Sequence, residues 1–215
     1  MCMNFETLLR LVRPLPCFDL HLLAQAADDT RGTLRAQLGR WQKAGKIISL
    51  RRGKYALADI YRAAPVTPAG LAHLLYSPSY LSGLWALAFY DLIPERVIRL
   101  TSVTPRVPRL FENPLGVFEY RNIKQEAFFG YREEPFGPST IVVAEPEKAL
   151  LDHWHLSPGE WTSERLEEMR YQHTDVVNEG RLREFAGRFA RPRLDRAVDR
   201  WLERRSRGDE GTILL

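Results

Sequence analysis

Positively charged side chains recur at short intervals between Thr30 and Lys54, and their chemistry suits contact with phosphate groups. At helical spacing the apolar residues Leu34, Leu38 and Trp41 point one way. The side chains on the opposite face are small or basic, so that face can approach an anionic surface closely. The residues of this face are Gly32, Thr33, Arg35, Ala36, Gly39, Arg40 and Lys43.

A helix and a hairpin must position these charges. Thr30 is a favourable N-cap, and Gly45 is suited to end the helix. Residues 46–57 contain two β-rich runs on either side of a glycine turn, which predicts a hairpin. Its tip is expected at residues 51–54, where three of the four side chains are positive.

Two earlier helices, capped by Asn4 and Asp19, complete a unit of three helices and a hairpin. This is the arrangement of a winged helix-turn-helix, in which the start of the third helix reads base edges in DNA. Arg31, Thr33 and Arg35 are expected to take that role, and the other cations of the set are expected to contact phosphates. The complete set expected to contact DNA is Thr30, Arg31, Thr33, Arg35, Arg40, Lys43, Lys46, Arg51, Arg52 and Lys54.

A second group of reactive side chains follows a β-branched run near the middle of the chain. Glu145, Glu147, Lys148 and Asp152 could form a metal-dependent nuclease site. A structural interpretation is preferred, because carboxylates at a helix start are stabilised by the helix dipole. Lys148 and Asp152 are also spaced for an i, i+4 ion pair. We therefore expect no catalytic site and no enzyme activity.

No pattern for a metal or cofactor is found. His153 and His155 do not share a face of a helix, and Cys2 and Cys17 fit no metal spacing. No glycine-rich phosphate loop occurs. No bound metal or cofactor is therefore expected.

The charge is unevenly distributed along the 215 residues, which carry a net charge of +4. Residues 1–62 contain 11 Lys and Arg against 5 Asp and Glu, residues 63–159 contain 8 against 10, and residues 160–215 contain 12 against 12. The positive field therefore belongs to the N-terminal part. Together with a proline-containing connection at 59–68, this predicts domains at 1–62 and 63–215.

The protein is expected to be cytoplasmic and to have no membrane partner. Residues 1–16 carry Arg10 and Arg13 within their apolar pattern, unlike a signal peptide. The longest nearly apolar run, 81–93, is too short to span a bilayer and contains Asp91.

The C-terminal part is expected to be an α+β domain with a small sheet and a helical tail, so that the whole chain is α+β. Two proline motifs, at 77–80 and 157–160, are expected to start helices. The expected strands are 96–104, 116–123, 127–131 and 140–144, and the expected helices are 67–76, 80–90, 148–155, 163–171 and two more that start at Asn178 and Pro192.

Several blocks of the sequence resemble the AbiEi antitoxins of bacterial toxin–antitoxin systems, and the resemblance spans about residues 4–205. The last of these blocks is the most specific. The blocks are the N-terminal unit ending in Arg51-Arg52-Gly53-Lys54-Tyr55-Ala56-Leu57, Tyr76-Ser77-Pro78-Ser79-Tyr80 with Gly83-Leu84-Trp85-Ala86-Leu87, the run 97–104, and Val143-Ala144-Glu145-Pro146-Glu147-Lys148-Ala149-Leu150-Leu151-Asp152.

This resemblance implies an antitoxin that represses its own operon and counters a nucleotidyltransferase-type toxin. The implied partners are double-stranded operator DNA and a cognate toxin, which is countered either directly or only functionally. One alternative is a free-standing winged-helix regulator whose C-terminal domain senses a ligand or mediates assembly. A nuclease built on Glu145 and Glu147 is a further alternative.

Overall fold

The computed structural model describes the backbone of residues 3–212 and the side chains of residues 3–207. Over these residues the chain is a mixed α+β fold with two sheets and a helical C-terminal tail. The α+β class and the helical tail expected from the sequence are confirmed at this level. No helix in the described part is both long enough and apolar enough to cross a membrane. Cys2 lies outside the described residues.

The N-terminal unit contains three helices and a three-stranded sheet. The predicted helix caps are confirmed, because Asn4, Asp19 and Thr30 each accept a hydrogen bond from the backbone N–H three residues later. The elements are α1 (Phe5–Val12), β1 (Phe18–Asp19), α2 (Leu20–Ala26), α3 (Arg31–Lys43), β2 (Ile47–Arg51) and β3 (Lys54–Leu57).

The hairpin of β2 and β3 turns at Arg52 and Gly53, as the sequence predicts, and Gly53 has a φ of 79°. The third strand, β1, was not predicted. Phe18 and Asp19 pair with Tyr55 and Lys54 of β3. An N-cap residue has an extended backbone, so Asp19 caps α2 and also extends the sheet.

The C-terminal unit is built on a six-stranded sheet with the order β6-β7-β5-β4-β9-β8. The pairs β4–β9 and β5–β7 are parallel, and the other neighbours are antiparallel. Its elements are α4 (Pro68–Leu75), β4 (Tyr80–Leu81), α5 (Gly83–Phe89), β5 (Leu100–Thr104), β6 (Arg109–Asn113), β7 (Gly116–Asn122), β8 (Tyr131–Phe136), β9 (Ser139–Ala144) and α6 (Pro146–Leu156).

The prediction of a helix over 80–90 is wrong at its start. Tyr80 and Leu81 form a buried strand between β5 and β9, and the helix begins only at Gly83. A continuous apolar run suits a buried strand as well as a buried helix. In the centre of a sheet, the neighbouring strands satisfy the backbone groups of these two residues.

The strand predicted over 127–131 is also wrong. Residues Gln125–Ala127 form a 3-10 turn, and Gly130 has a φ of 67°, which interrupts an extended run. The strand is Tyr131–Phe136, because these residues pair in register with β9 across the turn at Gly137. Strand β6 was missed, and β5 is shorter than predicted.

Three helices form the tail: α7 (Ser163–Glu168), α8 (Glu179–Phe189) and α9 (Pro192–Thr212). The capping box predicted at 157–160 is wrong, since Thr162 caps α7 instead. The Arg193 guanidinium donates to the carbonyls of Ser157 and Gly159, which holds this stretch as a loop. Asn178 caps α8 as predicted.

The two units touch at the hairpin. Asn113 in β6 donates its amide to the Leu50 carbonyl at 3.0 Å, and Arg51 donates Nε to the Leu75 carbonyl at 2.6 Å. Leu50 and Ala56 belong to the larger apolar cluster of the C-terminal unit, whereas Leu57 belongs to the smaller N-terminal cluster. The hairpin therefore contributes to both cores.

Candidate nucleic-acid interface

Helix α3 buries one face and exposes the other. Leu34, Gln37 and Leu38 are buried, and the Gln37 amide donates to the Met3 carbonyl at 2.7 Å. The sequence predicted the apolar residues of this inner face but not Gln37. The exposed residues on the outer face are Arg31, Gly32, Thr33, Arg35, Ala36, Gly39, Arg40 and Lys43.

The start of α3 is held by its cap. Thr30 accepts a hydrogen bond from the Thr33 backbone N–H at 3.2 Å, and the two hydroxyl oxygens lie 2.9 Å apart. The Thr30 side chain is therefore engaged in capping the helix and is not directed at an external partner. The Arg31 and Arg35 side chains extend from this fixed turn into solvent.

The cations on this face are not neutralised by neighbouring acids. Within the described side chains, Arg31, Arg35, Arg40 and Lys43 form no ion pair with a carboxylate. Arginines of the tail are different: Arg183, for example, contacts both Glu179 and Asp199. The outer face of α3 therefore presents a positive field that an anionic partner can meet without displacing an acid.

The hairpin tip presents less free charge than its sequence suggests. Arg52 is exposed, but Arg51 turns toward the C-terminal unit, where it donates to the Leu75 carbonyl and lies over the Phe111 ring. Lys54 lies 3.9 Å from Asp19. These contacts remove Arg51 from the group that can readily reach an external phosphate.

Lys46 also has an internal contact, because its Nζ lies 4.4 Å from the centroid of the Phe5 ring. Its side chain is half-buried, unlike those of Arg40 and Lys43. Six of the sequence-predicted residues are exposed and keep their side chains available to an external partner. The set is Arg31, Thr33, Arg35, Arg40, Lys43 and Arg52.

The second group of reactive side chains is a buried polar network. Asp152 accepts hydrogen bonds from the Tyr80 hydroxyl at 3.0 Å, from the Ser82 hydroxyl at 2.8 Å and from Lys148. Lys148 also donates to Tyr80 Oη at 2.9 Å. The Lys148–Asp152 pair predicted from the sequence is confirmed, but both side chains are completely buried.

Burial changes the acid–base behaviour of this network. It lowers the pKa of Lys148, although Asp152 acts in the opposite direction. Burial and the Asp152 carboxylate together hold the pKa of the Tyr80 hydroxyl well above its usual value. The Lys148–Asp152 pair thus lies inside a network that solvent does not reach.

The two glutamates contact the start of α8. Glu145 pairs with Arg181 at 2.8 Å, and Glu147 accepts a hydrogen bond from the Asn178 backbone N–H at 2.7 Å. Glu147 lies in the first turn of α6, as the sequence predicts, but its burial was not predicted, since only 1% of this residue is exposed. Among the described residues, no three His, Cys, Asp or Glu side chains lie close enough together to hold a metal ion.

The two histidines of α6 pack on different aromatic rings. The His153 ring lies 5.2 Å from that of Trp161, and the His155 ring lies 5.1 Å from that of Phe189. Burial, reinforced by Arg165, lowers the pKa of His153 to about 4. His153 is therefore a neutral core residue at neutral pH.

No family model matches this chain, and no curated protein matches it. Among solved structures, the RV2827C protein from Mycobacterium tuberculosis is similar, with a TM-score of 0.52 and 14% sequence identity. The match covers 91% of this chain and 75% of that protein. At this level of identity the two chains are related by their overall fold alone.

Proposed function

We propose that this protein binds double-stranded DNA through the exposed face of α3 and the hairpin turn, and that it represses its own operon as the antitoxin of a toxin–antitoxin pair. One observation carries the DNA-binding part: Arg31, Arg35, Arg40 and Lys43 share an exposed helix face on which, among the described side chains, none is paired with an acid. Such a face loses no internal ion pair when it meets phosphates.

In the proposed complex, the N-terminal unit binds DNA as a winged helix-turn-helix and places α3 in the major groove. Arg31, Thr33 and Arg35 lie in its first turns, from which side chains usually reach base edges. Arg40 and Lys43 lie farther along and contact phosphates. The small residues on the same face, Gly32, Ala36 and Gly39, allow the helix backbone to approach the groove.

Arg52 completes the proposed interface from the hairpin turn. Lys46, Arg51 and Lys54 are left out of the primary contacts, because each already has a partner within the protein. The wing of the proposed complex thus carries one free charge from its tip, not three.

The antitoxin part of the proposal is supported by the resemblance to the AbiEi family, above all by the segment 143–152. In this protein the segment joins β9 to α6 and contains the buried Lys148–Asp152 pair. The proposal assigns no catalytic residue. The cognate toxin is of the nucleotidyltransferase type.

Co-expression with the neighbouring gene tests the antitoxin part. The full chain is expected to restore growth to cells that express the toxin, and to repress a reporter placed behind its own promoter. A double variant, Arg40→Gln with Lys43→Gln, is expected to lose repression. Absence of growth rescue by the wild-type chain contradicts the antitoxin assignment, whatever the reporter shows.

The second candidate function is a free-standing regulator whose C-terminal domain senses a small ligand. One observation favours it, namely an arginine-lined cavity between the tail helices. This candidate predicts repression that changes with ligand concentration and needs no neighbouring toxin gene.

A further inference from the structure

A cavity of about 430 Å³ opens between α7, α9 and the turn at Thr174. Its volume lies within the range of small-molecule sites, which is roughly 300–1,000 Å³. Four arginines of α9 line it together with Glu203, and its apolar lining residues are Leu166, Tyr171 and Trp201. A ligand that fills it must therefore combine negative charge with an apolar part.

The arginines belong to a stripe along one face of α9, and their internal partners become fewer toward its C-terminal half. Arg193 donates to four backbone carbonyls, and Arg196 forms two hydrogen bonds with Glu160. Farther along, Arg204 has one ion pair, with Glu167 at 3.5 Å. Arg207 has no partner among the described side chains. Among the described side chains of this stripe, the arginines with the fewest partners therefore line the cavity.

Two further arginines are held in place by backbone carbonyls. Arg200 donates to the Trp161 carbonyl at 2.9 Å, and Arg205 donates to the Val177 carbonyl at 3.0 Å. A carbonyl orients a guanidinium without neutralising it. These arginines are therefore positioned while their charge is retained.

The carboxylates nearest to these two arginines bind other arginines more closely, Glu160 with Arg196 and Glu179 with Arg183. Arg200 lies 3.7 Å from Glu160, and Arg205 lies 3.4 Å from Glu179. Exposed pairs of this kind contribute little, and a phosphate can accept the two parallel hydrogen bonds of a guanidinium fork. A phosphate group is therefore expected to compete successfully with these acids.

Of the apolar lining residues, Leu166 and Trp201 are buried and Tyr171 is half-buried, so Tyr171 is the one that can contact an uncharged ring. Tyr171 and Trp201 pack edge to face with their rings 6.2 Å apart, and Leu166 lies beside them. The hydroxyl-bearing residues Ser163 and Thr174 also line the cavity. Inorganic phosphate would leave this half of the cavity unfilled.

We propose that this cavity binds a nucleoside phosphate, with its phosphates on Arg204 and Arg207 and its base and sugar on the side of Leu166 and Tyr171. Guanidinium groups match phosphate oxygens in geometry, and the mixed lining matches a molecule that has one charged and one ring-shaped end. The site lies on the tail helices and does not depend on the DNA-binding proposal.

Calorimetric titration of the full chain with GTP, ATP, CTP and UTP in turn tests the proposal. Pyrophosphate and a short 5′-phosphorylated single-stranded oligonucleotide serve as separate probes. The test variant is Arg204→Gln with Arg207→Gln. The matched control is Arg40→Gln with Lys43→Gln, which removes the same charge from another exposed helix face.

Saturable binding of at least one nucleotide is expected, with one molecule bound per chain. The test variant should weaken it by about tenfold for each lost charge-assisted contact. The control variant should bind as the wild type does. The proposal is overturned by absent binding, by equal losses in both variants, by pyrophosphate binding as tightly as the nucleotides, or by binding of the oligonucleotide alone.

Discussion

At the scale of single residues, the buried pair of Lys148 and Asp152 determines the character of the C-terminal core. Two charges removed from water cost several kcal/mol each, and only close partners offset that cost. Asp152 has three such partners, two of which come from the short segment at Tyr80 and Ser82. The network therefore fixes the central strand β4 against α6.

Asp152→Asn is expected to destabilise the protein by about 3–5 kcal/mol at pH 7, because Lys148 loses its counter-ion in a closed site. The lysine then folds in its neutral form, whereas the unfolded chain binds the proton. The loss should therefore shrink as the pH rises toward the usual lysine pKa of about 10.4. Urea melts at several pH values measure it.

Glu179→Gln is the matched control, since Glu179 forms an exposed i, i+4 pair with Arg183. Its cost should stay below about 1 kcal/mol and show no such pH trend. A small, pH-independent cost for Asp152→Asn would show that Lys148 is accommodated without its partner.

His153 predicts a sensitivity to acid. Its pKa is lowered to about 4 in the folded protein, so between that value and the usual one near 6.5 the unfolded chain binds more protons. Stability is therefore fully present above the higher value and falls as the pH drops through this window. The expected loss is about 3 kcal/mol.

A comparison of wild type with His153→Gln in urea melts at pH 7 and pH 4 isolates this contribution. The variant should lose less stability on acidification. His21→Gln, at an exposed histidine in α2, should behave as the wild type does. Equal losses in all three proteins would show that the acid sensitivity does not come from His153.

The sequence predicted the Lys148–Asp152 pair from its spacing but did not predict its burial. Spacing along one helix fixes which two side chains are neighbours. Burial depends on Tyr80 and Ser82, which lie about 70 residues earlier and reach the pair only through the sheet. The burial of Glu147 could not be predicted for the same reason, because its partner Asn178 begins another helix.

At the scale of elements, helix α3 offers the test of DNA binding. Arg40→Gln with Lys43→Gln should weaken binding to all sequences alike and should reduce the salt slope by about 0.9 for each lost phosphate contact. Arg35→Gln should reduce sequence preference by about 1–3 kcal/mol. Gel-shift titrations at several salt concentrations, with operator and unrelated duplexes, distinguish these effects.

Arg204→Gln with Arg207→Gln is the charge-matched control on α9 and should leave both the salt slope and the sequence preference unchanged. If the α3 double variant keeps the wild-type slope, DNA does not bind at this face.

Helices with a cap and a periodic apolar face could be predicted from the sequence, as α1, α3 and α8 show. Short strands could not be predicted from the sequence. Tyr80 and Leu81 contribute two residues to the sheet, too few for an alternating pattern, and the neighbours that make them a strand come from distant parts of the chain. Strand β8 was displaced because its register is set by its partner β9.

At the scale of the whole molecule, the hairpin joins two cores that the charge pattern places in separate domains. Leu50 and Ala56 pack into the C-terminal cluster, while the neighbouring Ile47 and Leu57 pack into the N-terminal one. Tyr61, in the segment 59–68 where the sequence predicts the boundary, packs on the N-terminal cluster, and contacts between the units begin earlier in the chain. A cut at residue 62 therefore exposes apolar surface.

A fragment of residues 1–62 should accordingly melt at a lower temperature than the same unit does in the full chain. Leu50→Ser provides the internal control. It should cost about 2–5 kcal/mol in the full chain, where Leu50 is buried, and less than about 0.5 kcal/mol in the fragment, where it is exposed. Circular dichroism melts of the four proteins measure both effects. Equal costs in chain and fragment would mean that the hairpin packs on the N-terminal core alone.

The docked hairpin also limits how genes of this kind can recombine. The side chains that hold the hairpin in place are divided between the two halves of the chain: Arg51 lies before residue 62, and Asn113 and Phe111 lie after it. Recombination between two diverged genes at the connection would produce a chain whose hairpin and sheet edge come from different parents. The contacts between the two would then not have evolved together. Inheritance of these genes is therefore expected to favour whole reading frames over exchanged N-terminal halves.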